Sequence, residues 1–156
     1  MQVTHWKQMM NKEYLGAWDI VDGQDIVATI KDVVQRELMD EKGRKSQRPV
    51  AYFVESNIKP MVLNTTNCTT ITNLYKTDNP NLWIGKQIQI YATETSVGKK
   101  QVPCLRIRNY VGYKCCICHK DIDINTYRGS IQKYGSPYCS KECLDKAQQQ
   151  KNKNYL

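Results

Sequence analysis

Four cysteines near the C-terminus are spaced like the ligands of one metal ion. Cys115 and Cys118 are separated by two residues, and Cys139 and Cys143 by three. Short turns of this kind bring two thiolates to one ion, and zinc bound by four thiolates is tetrahedral with Zn–S distances of about 2.3 Å. The spacing therefore predicts one structural Zn²⁺ held by these four cysteines.

The same pattern argues against catalysis at the metal. Four thiolates fill a tetrahedral shell, whereas a catalytic zinc keeps one position open for water or substrate. The whole chain contains only 2 histidines, so the sequence predicts no enzyme. Cys116 and His119 are alternative ligands, but neither is favoured. Using Cys116 would lose the two-residue gap, and His119 directly follows Cys118.

The elements that must position these residues can be inferred from hydrophobic periodicity. Alternation that breaks at Val33 and Val34 predicts a long, bulged strand over residues 25–38, followed by a polar connection over 39–48. Short runs rich in Val, Tyr and Phe predict strands over 50–55 and 60–64. A threonine-rich helix is expected to follow and to end before Pro80. Two further strands are predicted, over residues 87–93 and 101–108.

The resulting order of elements is three strands, one helix and two strands. This is the order of the OB-fold, a small five-stranded β-barrel. The sequence therefore predicts a mainly β, OB-fold-like barrel with an N-terminal extension over residues 1–110. A separate C-terminal zinc module is expected over 113–148, with a hairpin between its two cysteine pairs, and a flexible tail over 149–156.

The predicted barrel also suggests where a ligand would bind. OB-folds bind nucleic acid across strands 2 and 3, between the loops that join strands 1 to 2 and 4 to 5. Basic residues occur in both loops, and aromatic and basic residues occur on the strands, where bases could stack and phosphates could be neutralised. The predicted nucleic-acid-binding residues are Lys42, Arg44, Lys45, Arg48, Tyr52, Tyr91, Lys99, Lys100, Arg106 and Arg108.

The charge is positive and unevenly distributed. Residues 1–100 carry 13 Lys and Arg against 11 Asp and Glu, whereas residues 101–156 carry 10 against 4. A net charge of +8 favours polyanionic partners, of which nucleic acid is the commonest in the cytosol. No apolar run suits a signal peptide or a membrane span, so a soluble cytoplasmic protein with no membrane partner is expected.

Three runs of this sequence resemble a known group of proteins. KPMVLNTTN, LWIGKQIQIY and VPCLRIR resemble small phage and prophage proteins with an OB-like domain, which are regarded as single-stranded DNA-binding or DNA-metabolism proteins. The resemblance covers roughly residues 14–108. The run from Tyr138 to Cys143 is similar to the second half of treble-clef zinc fingers, in which the last two ligands lie at the start of a helix.

The resemblance implies a function and a location. It implies non-catalytic binding of single-stranded nucleic acid, DNA more than RNA, in phage DNA replication, recombination or repair. It places the protein in the cytoplasm of an infected bacterial host. The alternative is a phage-encoded inhibitor or adaptor that binds a host or phage protein, such as a replication protein.

Overall fold

The computed structural model describes residues 6–10, 12–20 and 24–153. The chain divides into two compact units, Met1–Tyr110 and Val111–Leu156. None of the helices among the described residues is long and apolar enough to cross a membrane. Short 3-10 helices occupy Trp6–Met10, Ala17–Asp19 and Pro80–Trp83. The other elements are β1 (Ile26–Met39), β2 (Lys45–Phe53), β3 (Met61–Val62), α1 (Thr65–Tyr75), β4 (Gln87–Val97), β5 (Lys100–Ile107), α2 (Ile124–Tyr134) and α3 (Lys141–Lys153).

The first unit is built on one antiparallel sheet of five strands, in the order β3-β2-β1-β4-β5. The mainly β prediction is therefore confirmed. The sheet is not closed, because no pairing joins β3 to β5 among the described residues. The ladder between β1 and β2 shifts its register between Ile30 and Asp32, which confirms the bulge that the interrupted alternation predicted.

β1 and β2 extend well beyond the rest of the sheet. The polar connection predicted over 39–48 is shorter in the structure, because β2 already begins at Lys45. The Asp40 carboxylate accepts hydrogen bonds from the backbone N–H groups of Lys42 and Arg44, and Gly43 adopts a φ of 77°, which closes a tight turn. Residues 35–48 thus form a two-stranded arm, in which every residue except Leu38 is exposed.

The core of the first unit lies on one face of the sheet. Its completely buried members include Ala28, Ile30, Ile88 and Ile90, from the two strands at the centre of the sheet. Ile71 of α1 and the 4% exposed Trp83 pack against them. The remaining buried members are Ala51, Phe53, Met61, Leu63 and Ile107.

Helix α1 forms despite a run of threonines with poor helix propensity. Asn64 caps its N-terminus by accepting a hydrogen bond of 2.8 Å from the N–H of Asn67. The hydroxyls of Thr69, Thr70 and Thr72 each donate to the carbonyl four residues earlier, so they need no other partner. The buried Asn67 side chain donates to the carbonyl of Leu105, which ties α1 to β5.

The second unit differs from its prediction between the two cysteine pairs. A hairpin was expected there, but residues 124–134 form α2, so that prediction is wrong. Asp123 caps the start of α2 through Thr126, and Gly135 ends it in the left-handed conformation with a φ of 74°. Helix α3 continues to Lys153, so the predicted tail begins inside a helix, and residues 154–156 lie outside the described residues.

Candidate metal centre and nucleic-acid interface

The four cysteines predicted as ligands lie together in the second unit. Their sulfur atoms all lie within 4.8 Å of one another. The Sγ atoms of Cys118 and Cys139 are 3.5 Å apart, as are those of Cys139 and Cys143. Sulfurs around one tetrahedral zinc are separated by about 3.8 Å, given Zn–S distances of about 2.3 Å. The cluster is therefore compatible with one metal ion, as predicted, and neither Cys116 nor His119 belongs to it.

The first pair lies in a tight turn closed by backbone hydrogen bonds. The N–H of Cys115 donates to the carbonyl of Lys120, and the N–H of His119 donates back to the carbonyl of Cys115. His119 adopts a φ of 60°, which lets the chain reverse within these few residues. A bridge between Lys114 and Asp121 closes the base of the turn. The exposed side chain of His119 occupies the turning position and supplies no ligand.

The second pair lies at the N-terminus of α3. Cys139 precedes the helix, and Cys143 lies in its first turn, where the N–H of Leu144 donates to the carbonyl of Ser140. The spacing of three residues between the cysteines thus spans one helical turn, which places both sulfurs at the same end of the helix. The N-terminal end of a helix carries a partial positive charge that stabilises thiolates.

Backbone donors prepare one thiolate for metal binding. Burial alone would raise the pKa of Cys115, but hydrogen bonds from the backbone N–H groups of Cys118, Ile117 and Cys139 lower it to about 6. The hydrogen bond with the Cys139 thiol, together with burial, raises the pKa of Cys143 to about 12. Binding of a metal to these cysteines would release the protons that their thiols carry.

The predicted residues at the end of the arm are exposed, and two of them form ion pairs. The guanidinium of Arg44 contacts the Asp40 carboxylate at 2.7 Å, and Lys45 contacts Glu37 at 3.5 Å. Exposed pairs of this kind are weak because solvent screens them, so both cations stay available to a ligand. Lys42 makes no salt bridge within the part of the chain that the structure describes.

Tyr52 lies beside an arginine that sequence reasoning missed. The Nε of Arg36 donates to the Tyr52 hydroxyl at 3.2 Å, and the guanidinium lies 5.7 Å from the ring centroid. The hydrogen bond with Tyr52 raises the pKa of Arg36 above its ordinary value. Arg36 also pairs across the ladder with the predicted residue Arg48. The register of β1 against β2 was the missing signal, because it alone places Arg36 beside these two residues.

The predicted residues on β4 and β5 form a different group. Arg106 lies opposite Tyr91 in the ladder, and the guanidinium of Arg108 covers one face of the Tyr91 ring at 3.7 Å. Arg108 is also bound in a two-pronged ion pair by Asp25, with distances of 2.9 and 3.2 Å. The side chain of Asp25 is 4% exposed and also accepts a hydrogen bond from Gln89. Arg108 is therefore held in a largely buried polar network that the sequence did not indicate.

Lys99 and Lys100 lie at the turn between β4 and β5, where both are exposed. Gly98 makes the turn with a φ of 62°. The structure thus divides the predicted nucleic-acid residues between two hairpins. The strands of these hairpins pair with each other only where residues 26–29 of β1 meet residues 87–90 of β4.

We predict that the polar network around Asp25 stabilises the first unit. Changing Arg108→Ala leaves a buried carboxylate without its cation, so the free energy of unfolding should fall by about 2 to 4 kcal/mol. The matched control is Arg106→Ala in the adjacent strand β5, whose guanidinium donates to the carbonyl of Leu105 and makes no salt bridge among the described residues, and this change should lower the free energy of unfolding by less than about 1 kcal/mol. Urea denaturation measures the free energy of unfolding of both variants. Equal losses in the two variants would show that the ion pair with Asp25 makes no specific contribution to stability.

We predict that protein purified without chelators contains one metal ion per chain, bound by the cysteine cluster. Changing the exposed Cys118→Ser removes a ligand without opening a cavity, so metal should be lost and the second unit should unfold. Cys116→Ser, which changes a neighbouring cysteine outside the cluster, should retain the metal. Elemental analysis and the dispersion of amide NMR signals give the two readouts. Metal loss from the Cys116 variant instead would mean that the ligand set is wrong.

Comparison with known proteins adds no assignment to this geometry. No protein-family model, no curated protein and no solved structure matches the chain.

Proposed function

We propose that this chain is a non-catalytic protein that binds single-stranded nucleic acid. The observation that carries the proposal is the outer face of the arm, where Arg36, Arg48 and Tyr52 lie together. Aromatic rings on which bases stack, combined with cations that follow the backbone, are the features that single-strand-binding surfaces use. The exposed Lys42 lies in the turn at the end of the same arm.

The strand order supports an OB-fold-like architecture for the first unit. In the order β3-β2-β1-β4-β5, the two outermost strands are β3 and β5, and their pairing would close a five-stranded barrel. Helix α1 follows β3 in sequence and is bonded to β5 through Asn67 and Leu105. This is the place in the chain where an OB-fold has its helix. The arm then corresponds to the loop between strands 1 and 2, which grips nucleic acid in that fold.

The cysteine cluster supports zinc as the metal and a structural role for it. Four sulfur ligands in a tetrahedral arrangement are typical of zinc, and a shell that they fill leaves no position for a substrate. A tight turn that carries two ligands, and a helix N-terminus that carries the other two, support a treble-clef-like module. The second unit spans only residues 111–156, so a metal would supply much of its folding free energy.

The nature of the strand and its context follow from the resemblance to phage proteins. We propose DNA as the ligand, and replication, recombination or repair of phage DNA in the cytoplasm of an infected bacterium as the context. The large fraction of basic residues after residue 100 supports a polyanionic partner without selecting DNA over RNA. The exposed surface of the arm supports binding without chemistry.

A second candidate function is an adaptor or inhibitor that binds a host or phage protein. An open groove of about 670 Å³ lies between β2 and α1 and favours this candidate. Its lining includes the apolar side chains of Pro49, Leu63 and Trp83, together with Cys68. A groove of this size can accept a few side chains from a partner.

We predict that a fluorescent single-stranded oligonucleotide binds the purified protein and that the affinity falls as salt rises. A plot of log association constant against log salt should have a slope of about −1.4 or steeper, since each phosphate contacted contributes about −0.7. Fluorescence anisotropy at several salt concentrations measures it. A duplex of the same sequence is the control and should bind more weakly, because its bases are already stacked. No binding at low salt would leave the adaptor as the better candidate.

We predict that the metal is zinc. Elemental analysis should find zinc in a 1:1 ratio to the chain, because four thiolates select it over magnesium or calcium. Adding a chelator should unfold the second unit and leave the core of the first unit folded, as thermal denaturation before and after readdition of zinc would show. Iron in place of zinc, with its absorption in the visible range, would contradict the prediction.

A further inference from the structure

Two arginines face each other across the arm, and no acidic residue in the described part of the chain forms a salt bridge with either of them. Glu13 attracts Arg36 electrostatically without such a contact. Arg36 and Arg48 are direct partners in the ladder, so both side chains emerge on the same face. Side chains at such positions have Cβ atoms about 4.5 to 5.5 Å apart, and like charges there destabilise the strand pair. Neither arginine makes a salt bridge within the part of the chain that the structure describes.

Two of the three acidic residues of the arm form salt bridges with other cations, and the third, Glu41, lies exposed in its turn. Glu37 follows Arg36 in the strand, so it emerges on the opposite face, where it pairs with Lys45. Asp40 lies at the turn and pairs with Arg44. Asp32 shares the face of the arginines, but its ladder partner is Tyr52, and its carboxylate accepts from the N–H of Val33. The two faces of the arm therefore differ in charge, and the arginine face is positive.

Each arginine donates a hydrogen bond to a neutral hydroxyl, and the two side chains point away from each other. Arg36 donates to Tyr52 at 3.2 Å, toward the sheet, whereas Arg48 donates to Ser46 at 3.4 Å, toward the turn of the arm. Both hydrogen bonds are long, and a hydroxyl cannot neutralise a guanidinium. Both side chains are exposed, so they are free to swing together when an anion arrives between them.

We propose that Arg36 and Arg48 form a clamp that binds a single phosphodiester group of the nucleic-acid strand. A tetrahedral oxyanion matches the planar guanidinium fork, and two forks on one face can each donate two hydrogen bonds to it. The Tyr52 ring, beside Arg36, lies where the sugar or base next to that phosphate can pack. This clamp rests on the proposed function, because it names the contact by which the arm holds its strand.

The clamp predicts opposite effects on stability and on binding. Arg48→Gln removes the repulsion, so the melting temperature of the protein without ligand should rise by about 1 to 4 °C. The same change should weaken single-strand binding about tenfold. Arg36→Gln should likewise raise the melting temperature and weaken single-strand binding. Arg44→Gln is the matched control on the same arm, and it should not raise the melting temperature, because Arg44 already has the Asp40 carboxylate as its partner.

The salt dependence separates one shared phosphate from two independent ones. Either single change should make the log-log slope shallower by about 0.7, which corresponds to one phosphate, and the double variant should lose no more than that. A slope that is shallower by about 1.4 in the double variant would mean that the two arginines contact two separate phosphates, and it would overturn the clamp. Unchanged affinity in both single variants, or no gain in melting temperature, would overturn it too.

Inorganic phosphate tests the clamp without any nucleic acid. Phosphate should raise the melting temperature, relative to potassium chloride of equal ionic strength, more for the unmodified protein than for Arg48→Gln, in which only the general stabilising effect of phosphate should remain. If phosphate stabilises the unmodified protein more than the variant but no oligonucleotide binds, the clamp holds for a free phosphate and the proposed function fails. If oligonucleotides bind the unmodified protein and both variants equally, the proposed function holds and the clamp fails.

Discussion

The architecture of the first unit depends on one short pairing. Among the described residues, β1 pairs with β4 through residues 26–29, and beyond the bulge it pairs with β2. This pairing joins the two hairpins into one sheet, and Ala28, Ile30, Ile88 and Ile90 bury their side chains beside it. The Asp25 carboxylate lies just before it and binds Arg108 and Gln89, so the start of β1 is fixed to β4 and to the residue that follows β5. A slip by one residue would turn the buried side chains to solvent and separate this ion pair.

The two units differ in the interactions that can stabilise them. The first unit has a contiguous apolar core, to which the sheet, α1 and the 3-10 helix ending at Trp83 contribute. The second unit is short and has few buried apolar side chains, among them the 3% exposed Tyr127, which contacts Tyr113 edge to face. Chains of this length rarely fold on an apolar core alone, so the cysteine cluster is the natural centre of this unit. The small size of this unit, as well as the residue type of the cluster, is therefore compatible with a bound metal.

Much of this organisation could be predicted from the sequence, and the failures have physical reasons. The cysteine spacing, the bulge in β1 and the position of α1 are local features, which periodicity and capping residues reveal. A hairpin was expected over residues 124–134, but Asp123 caps the start of a helix there and Gly135 ends it, and these capping residues were a local signal that the prediction did not use. Arg36 and Asp25 were missed for another reason. Each acquires its role from a partner far away in sequence, and the pairing register that joins such partners is a tertiary property.

The arm shows why charge counts alone say little about a binding surface. Between residues 35 and 48 acidic and basic side chains are both frequent, so the arm has a modest net charge. The pleated strands distribute these charges between two faces, because the side chains of neighbouring residues point to opposite faces. Glu37 thereby pairs with Lys45 on one face, while Arg36 and Arg48 share the other face, where no carboxylate of the described residues forms a salt bridge with them. A stable hairpin with no ligand would place unlike charges at such partner positions. The arginine pair therefore destabilises the hairpin, and the proposed binding of an anion would offset this, because a shared phosphate would attract both guanidiniums.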